Sequence, residues 1–207
     1  MPVQIVQHPV AQDSLLVLRD VRTPPDEFRR AAARITMVLM TEATRDMPRA
    51  RRTVETPLGP AQGDGIDTDV VIVPVLRAGL GMLESALAMI PRARVGYLGL
   101  QRDEATAVAS RYYTRLPAGL TDSYVLVVDP MLATGGSAVA ALDVLQRAGA
   151  GDLRLVCIVA APEGVAHVQQ HRPTLPIYTA AIDDSLNARK FIVPGLGDFG
   201  DRLYGTD

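Results

Sequence analysis

Five apolar runs limit what this chain can fold into: VVIVPVL (70–76), RVGYLGL (94–100), YVLVVDP (124–130), LRLVCIVAAP (153–162) and PIYTAAI (176–182). Most are continuous rather than alternating, as expected of strands covered on both faces in a parallel sheet. Helical patterns fill several of the gaps. Residues 79–90 follow the first run. Residues 138–148 follow the third, with Val139, Leu142 and Leu145 on one face and Gly149 as a stop signal. Strand–helix–strand alternation of this kind predicts an α/β fold with right-handed crossovers.

The N-terminal third follows a different pattern. Residues 26–45 read as a long helix carrying Phe28, Ile35, Val38 and Leu39, and RARRTVETPLGPAQGDGIDTD (49–69) reads as strand and turns, consistent with a hairpin. No internal repeat or low-complexity linker interrupts the 207 residues. A single domain is therefore expected, with an N-terminal addition over about 1–68, a core over about 69–182 and a C-terminal segment over about 183–207.

Two stretches resist assignment to the sheet. Residues 101–119 (QRDEATAVASRYYTRLPAG) are polar and weakly periodic, and a loop that long in a compact domain is usually functional or disordered. The C-terminal KFIVPGLGDFGDRLYGT packs Gly195, Gly197 and Gly200 into six positions, which suggests backbone approaching a ligand closely.

Several classes are disfavoured. The formal net charge of −2 gives no global pull toward nucleic acid. No apolar run approaches the ~20 residues a membrane helix requires, and MPVQIVQHPV lacks the basic-then-apolar order of an export signal. The single cysteine, Cys157, lies in an apolar run and reads as a core residue, and scarce cysteine fits a reducing cytoplasm. Arg45, Arg49, Arg51 and Arg52 form a local basic cluster, read as a solvated arm or subunit contact, with an RNA-binding patch as the alternative. His8, His167 and His171 read as structural or solvated.

The stretch DPMLATGGSA (129–138) carries the strongest chemical signal. It ends a buried strand and leads into a helix, where an open parallel sheet binds its ligands. The Gly-Gly pair lets several N–H groups face one anion, and the helix N-terminus adds unpaired donors and partial positive charge. Thr134 and Ser137 can add hydroxyl donors. The stretch is neither a Walker loop nor a GxGxxG turn. Asp129 would repel the phosphate beside it, so it suits another part of the ligand, and the vicinal hydroxyls of a ribose fit that description.

With VLRAGLGM (75–82) before it and FIVPGLGDFGDR (191–202) after it, this segment resembles the uracil phosphoribosyltransferase family; HPV (8–10), EAT (42–44) and APEG (161–164) also match. The similarity runs over essentially the whole chain. It implies a parallel-sheet phosphoribosyltransferase-type core with helices on both faces, an N-terminal helical and β-arm addition, and a C-terminal glycine-rich hood. It also implies transfer of the phosphoribosyl group from 5-phosphoribosyl-1-pyrophosphate (PRPP) to N1 of uracil.

The resemblance assigns roles as well. Residues 129–137 form the implied PRPP loop, with Asp129 on the ribose hydroxyls, Pro130, Met131 and Leu132 along the loop, and Ala133, Thr134, Gly135, Gly136 and Ser137 around the 5′-phosphate. Arg77 and Arg102 match pyrophosphate-binding arginines, Arg102 on a loop able to close over the site. Ile192, Gly197, Asp198 and Phe199 match the uracil-binding backbone, Asp198 also reaching the PRPP side. Asp129 and Arg102 are the implied catalytic groups, with no covalent nucleophile. Mg2+ is expected on PRPP oxygens and water rather than in a protein cage, and a homodimer or larger homo-oligomer and a GTP effector are further implications.

Two departures stand out. Phe199 occupies a place where the family usually has a small alanine, so its ring must point away from the base or reshape the pocket. QRDEAT lacks the usual aromatic before Arg102 and the glutamate at the Ala105 position. A weakly active regulatory or RNA-binding protein of the same fold, and transfer to another nucleobase, are the competing readings.

Overall fold

The computed structural model describes residues 3–102 and 109–206. The chain opens with β1 (Val3–Ile5), α1 (Pro9–Arg19) and α2 (Pro25–Ala43), then a hairpin of β2 (Arg49–Thr56) and β3 (Gly59–Ile66). It continues through β4 (Asp69–Leu76), α3 (Leu80–Met89), β5 (Arg94–Val95), β6 (Tyr97–Arg102), β7 (Ala109–Arg115), β8 (Ser123–Val128), β9 (Met131–Leu132) and α4 (Gly136–Arg147). Next come β10 (Asp152–Val156), β11 (Val159–Ala160), α5 (Pro162–His171), β12 (Ile177–Thr179) and β13 (Ala181–Ile182). The last elements are β14 (Ser185–Leu186), β15 (Ile192–Val193) and α6 (Phe199–Tyr204).

The main sheet has the order β1-β12-β10-β8-β4-β6-β7 and is parallel except for the final pair. Its central strands explain why the apolar runs are continuous. In β8, Tyr124, Leu126 and Val128 join the core on one face, and Val125 and Val127 join the core on the other. β4 divides in the same way, with Val70 and Ile72 opposite Val71, Val73 and Val75. The first face is covered by α1, α2, α3 and α6 through Leu18, Phe28, Met82 and Leu203. The second is covered by α4 and α5 through Val139, Leu142, Leu145 and Val168. Burying each such side chain is worth ~1.5–3 kcal/mol.

The apolar runs 153–162 and 176–182 do not stay single strands. β10 and β12 belong to the main sheet, whereas β11 and β13 join β9 in a small parallel sheet. Pro130 accounts for the break between β8 and β9. It has no N–H for the ladder, and its carbonyl instead accepts from Ile158 N at 3.0 Å and Val159 N at 3.1 Å.

Residues 101–119 correct the sequence reading more directly. Ala109–Arg115 is a strand, paired antiparallel to β6 from Tyr97↔Arg115 to Arg102↔Ala109. It is an edge strand, so Tyr112 and Tyr113 stay exposed and the sequence carries no continuous apolar signal. Residues 103–108, at the tip of the expected closing loop, lie outside the described residues.

The β2–β3 hairpin is largely exposed, and two of its arginines, Arg51 and Arg52, have partners close by. Arg51 pairs with Asp64 at 3.7 Å, while Arg52 donates to Ile66 O at 2.8 Å and lies 3.7 Å from Asp67. Arg45 pairs with Glu42 at 2.6 Å. At the end of α2, Tyr124 Oη is 2.5 Å from Ala43 O, and Arg154 stacks 3.7 Å from the Tyr124 ring centroid while pairing with Asp46 at 2.8 Å. Part of the EAT segment therefore anchors α2 to the sheet. Among the described residues, no helix is long and apolar enough to cross a membrane.

Candidate functional site

The sheet changes direction between its two central strands. From β4 the chain passes through α3 to β5 and β6 on one side, and from β8 it passes through α4 to β10 on the other. The crevice beyond the carboxyl ends at such a switch point is where open α/β sheets bind ligands. Arg77 follows β4, Asp129 follows β8 and Arg102 closes β6, so three expected site positions share this edge. The side chain of Arg102 is not among those described.

The two central loops are packed together. A Cβ on Gly79 would lie 2.5 Å from Val128 O and 2.7 Å from Val75 N and O, so only glycine lets the 77–79 turn press against the end of β8. Arg77 remains exposed, its Nη2 3.5 Å from Asp201 Oδ1 on α6. The C-terminal segment thereby reaches the same edge.

Residues 129–138 form a small concave nest of about 40 Å³, lined by Asp129, Met131, residues 132–135, Ser137 and Ala138. Asp129 is half-buried, and its N–H donates to Val156 O at 3.1 Å, which fixes the acid at the strand end. Gly135 has φ +81°, and a Cβ there would lie 2.8 Å from Gly164 O. Gly136 is different: it begins α4 with ordinary backbone angles, and its added Cβ would meet only Thr134 Oγ1 at 3.7 Å. Of the glycine pair, only the first is demanded by backbone shape. Ser137 and Ala138, in the first turn of α4, line the nest, and the amides of a helix's first turn lack intrahelical partners and suit an anion.

Two residues on α5 complete this loop: Gly164, which the sequence offers only within the APEG match, and His167, which it reads as structural or solvated. A Cβ on Gly164 would lie 2.3 Å from Ala133 O, and His167 Nδ1–H donates to Thr134 O at 2.8 Å. The APEG match was the available signal for Gly164. His8 accepts from Val10 N at 3.2 Å as the cap of α1, and His171 Nδ1–H donates to His167 O at 2.9 Å. All three histidines therefore have structural contacts.

The C-terminal segment is built from turns. β14 and β15 pair antiparallel, and Glu163 Oε1 accepts from Leu186 N at 3.0 Å. Gly195 has φ +58°, and a Cβ there would fall 2.2 Å from Ile192 O. Its glycine is needed by the chain itself, a more local reason than approach to a ligand. Gly197 also has positive φ, +80°. Asp198 is exposed and caps α6 by accepting from Asp201 N at 3.0 Å. Phe199 is 1% exposed, and its ring packs edge-on to Phe28 with centroids 5.2 Å apart. The ring points into the core, away from the exposed edge, and the Ile192 side chain is also buried. These two positions can meet a ligand only through their backbone.

Among the described residues, no three His, Cys, Asp or Glu side chains converge to hold a metal. Asp129 and exposed Asp198 offer carboxylate oxygens, the donor type a hard cation carried on substrate oxygens would accept. Cys157 is fully buried, and burial pushes its thiol up to about 12, which suits core packing and opposes nucleophilic use. A wider cavity of about 710 Å³ lies at the opposite end of the sheet, between the hairpin, the start of β4 and the end of α3. It contains none of the expected site residues.

A parallel sheet with an anion-shaped nest at its switch point is the architecture of type I phosphoribosyltransferases. At the level of fold alone, the "APRTase from Giardia lamblia Complexed with 9-deazaadenine" shares it at TM-score 0.53 and 15% identity, over 75% of this chain and 81% of that one. The "AQ2163 protein from Aquifex aeolicus" superimposes with TM-score 0.94 at 35% identity, over 98% and 97% of the two chains. The family model described as "Uracil phosphoribosyltransferase" matches residues 5–206. Relatives called uracil phosphoribosyltransferase include one from Dictyoglomus thermophilum at 49% identity and one from Roseiflexus sp. at 50%. They cover 98% and 99% of this chain, respectively, and 98% of their own length. The chain belongs to the uracil phosphoribosyltransferase family.

Proposed function

We propose that the chain transfers the 5-phosphoribosyl group of PRPP to N1 of uracil, giving UMP and pyrophosphate. The observation that carries this reading is the nest at the end of β8, with Asp129 at its entrance, in a chain of this family. The amides of residues 133–137 grip the 5′-phosphate, and the Asp129 carboxylate accepts from the ribose hydroxyls. Arg77 and Arg102 hold the pyrophosphate, and the backbone of Ile192 and 197–199 reads the base.

The chemistry follows from charge. The bond from ribose C1 to the pyrophosphate oxygen breaks with its electron pair leaving on pyrophosphate. Uracil N1 forms the new bond to C1 and gives up its proton to solvent. Positive charge grows on the ribose as the bond weakens, and the Asp129 carboxylate stabilises it. Arginines fixed beforehand stabilise the leaving charge, because their planar forks grip phosphate oxygens bidentately. Mg2+, when bound with PRPP, supplies further neutralisation of the pyrophosphate oxygens. Uracil offers two acceptors and one donor at its edge, and main-chain groups can pair with all three. Cytosine would put a donor against a donor, a mismatch that costs ~1–3 kcal/mol per unpaired buried group.

The enzyme acts in the cytoplasm as a homodimer or larger assembly in which the exposed β2–β3 arm meets a partner subunit, with GTP as an effector. The arm's internal ion pairs favour that use over RNA binding. The deciding experiment incubates the purified protein with Mg2+, PRPP and each of uracil, cytosine and hypoxanthine. UMP is the expected product, and a nucleotide formed from another base with no UMP would overturn the reading.

A further inference from the structure

We propose that Arg19 and Asp183 are positioning residues for the base-binding segment, acting through both main-chain groups of Gly195; this rests on the uracil-binding reading above. The Asp183 side chain is 4% exposed. Its Oδ2 accepts from Gly195 N at 2.8 Å. Arg19, from the last turn of α1, donates through Nη2 to Asp183 Oδ1 at 2.6 Å and through Nη1 to Asp183 Oδ2 at 2.8 Å. The same Nη1 reaches Gly195 O at 2.7 Å. One ion pair therefore holds both the N–H and the C=O of a glycine whose φ is +58°.

The next residue is held in a related way. Leu196 O accepts from Arg202 Nη1 at 2.8 Å, and Arg202 also donates to Leu18 O and, at 2.5 Å, to Asp20 O. Two consecutive carbonyls of the C-terminal segment are thus tied by arginines to the end of α1. Gly195 and Leu196 lie between Ile192 and Gly197, so the peptide planes they fix set where the flanking N–H and C=O groups point. Turning one plane exchanges a donor for an acceptor, and the fit to uracil depends on that difference.

Arginine suits this task because a planar fork can meet a carboxylate and a carbonyl together, whereas lysine offers a single point charge. Glycine at 195 lets the chain take the required shape, but glycine alone does not choose it. The choice comes from a residue 176 positions earlier. Among the described residues, the hydrogen bonds of the Arg19 and Asp183 side chains run to each other and to Gly195 rather than to the nest at the end of β8, so the pair should affect one substrate and spare the other.

The test measures initial rates and melting for the wild type, Arg19→Ala, Arg19→Lys and Asp183→Asn, varying uracil and PRPP separately. Uracil KM should rise about tenfold in Arg19→Ala and Asp183→Asn while PRPP KM stays within about twofold, the mark of lost binding to one substrate. Arg19→Lys should recover part of the loss, and it carries the test if Arg19→Ala does not fold. Unmoved uracil KM in the folded variants overturns the inference, and so does an equal rise in both KM values. A wild type that makes no UMP overturns the base-binding reading itself and this inference with it. UMP formation with unmoved uracil KM removes the positioning role alone.

Discussion

The nest at the end of β8 and the C-terminal hood meet at one edge of the sheet but are built by different means. The nest is one continuous stretch, residues 129–138, shaped by a strand end, a left-handed glycine and a helix start. Many of its outside supports come from the next strands and helix along the chain: Val156 O takes the Asp129 N–H, Ile158 and Val159 N–H groups meet Pro130 O, and Gly164 and His167 hold residues 133 and 134. The hood is assembled from distant parts. Phe199 packs on Phe28, and Arg202 reaches Leu18 O across 184 positions. A site can therefore combine a half that local chemistry specifies and a half that exists only once the chain has closed on itself.

This contrast makes different demands on substitution. The largest expected effect is on the hood, where Phe199→Ala removes a fully buried ring and should cost ~3–5 kcal/mol of stability. Thermal melting checks it, and a loss below about 1 kcal/mol would mean the hood does not depend on core packing. Next comes Asp129→Asn in the nest. Losing a hydrogen bond to a charged group is worth ~1.5–3 kcal/mol, so kcat/KM for PRPP should fall roughly ten- to a hundredfold. Melting should hardly change, and steady-state kinetics that match the wild type would remove the ribose role. The smallest is Gly135→Ala, where a left-handed alanine costs ~1–2 kcal/mol and its Cβ crowds Gly164 O. A several-fold rise in PRPP KM with uracil KM unchanged is expected. Equal rises for both substrates would show that the two halves are not independent.

The same contrast explains what the sequence disclosed. Continuous apolar runs marked β4 and β8 because both strand faces are covered, and DPMLATGGSA marked the nest because its geometry is local. β7 leaves no such mark because an exposed edge strand has no need of a continuous apolar run. The splitting of 153–162 into two strands depends on Pro130, which lies in another run and redirects its partners. Phe199 stands out in the sequence as a departure, but its direction is settled by Phe28 and by the space left at Gly81, where a Cβ would stand 3.0 Å from the ring. Gly195 is visible in the sequence as a glycine, whereas the groups that hold it lie at residues 19 and 183. Long-range partners of this kind leave no spacing pattern to read.

Backbone hydrogen exchange tests the central claim most directly. The amides of 133–137 are measured with no ligand, with Mg2+ and PRPP, and with Mg2+, PRPP and uracil. The account predicts that PRPP alone slows exchange in this short segment, and that amides across 192–199 slow further only when uracil is added. PRPP that binds while the 133–137 amides exchange as fast as in the free protein would contradict it.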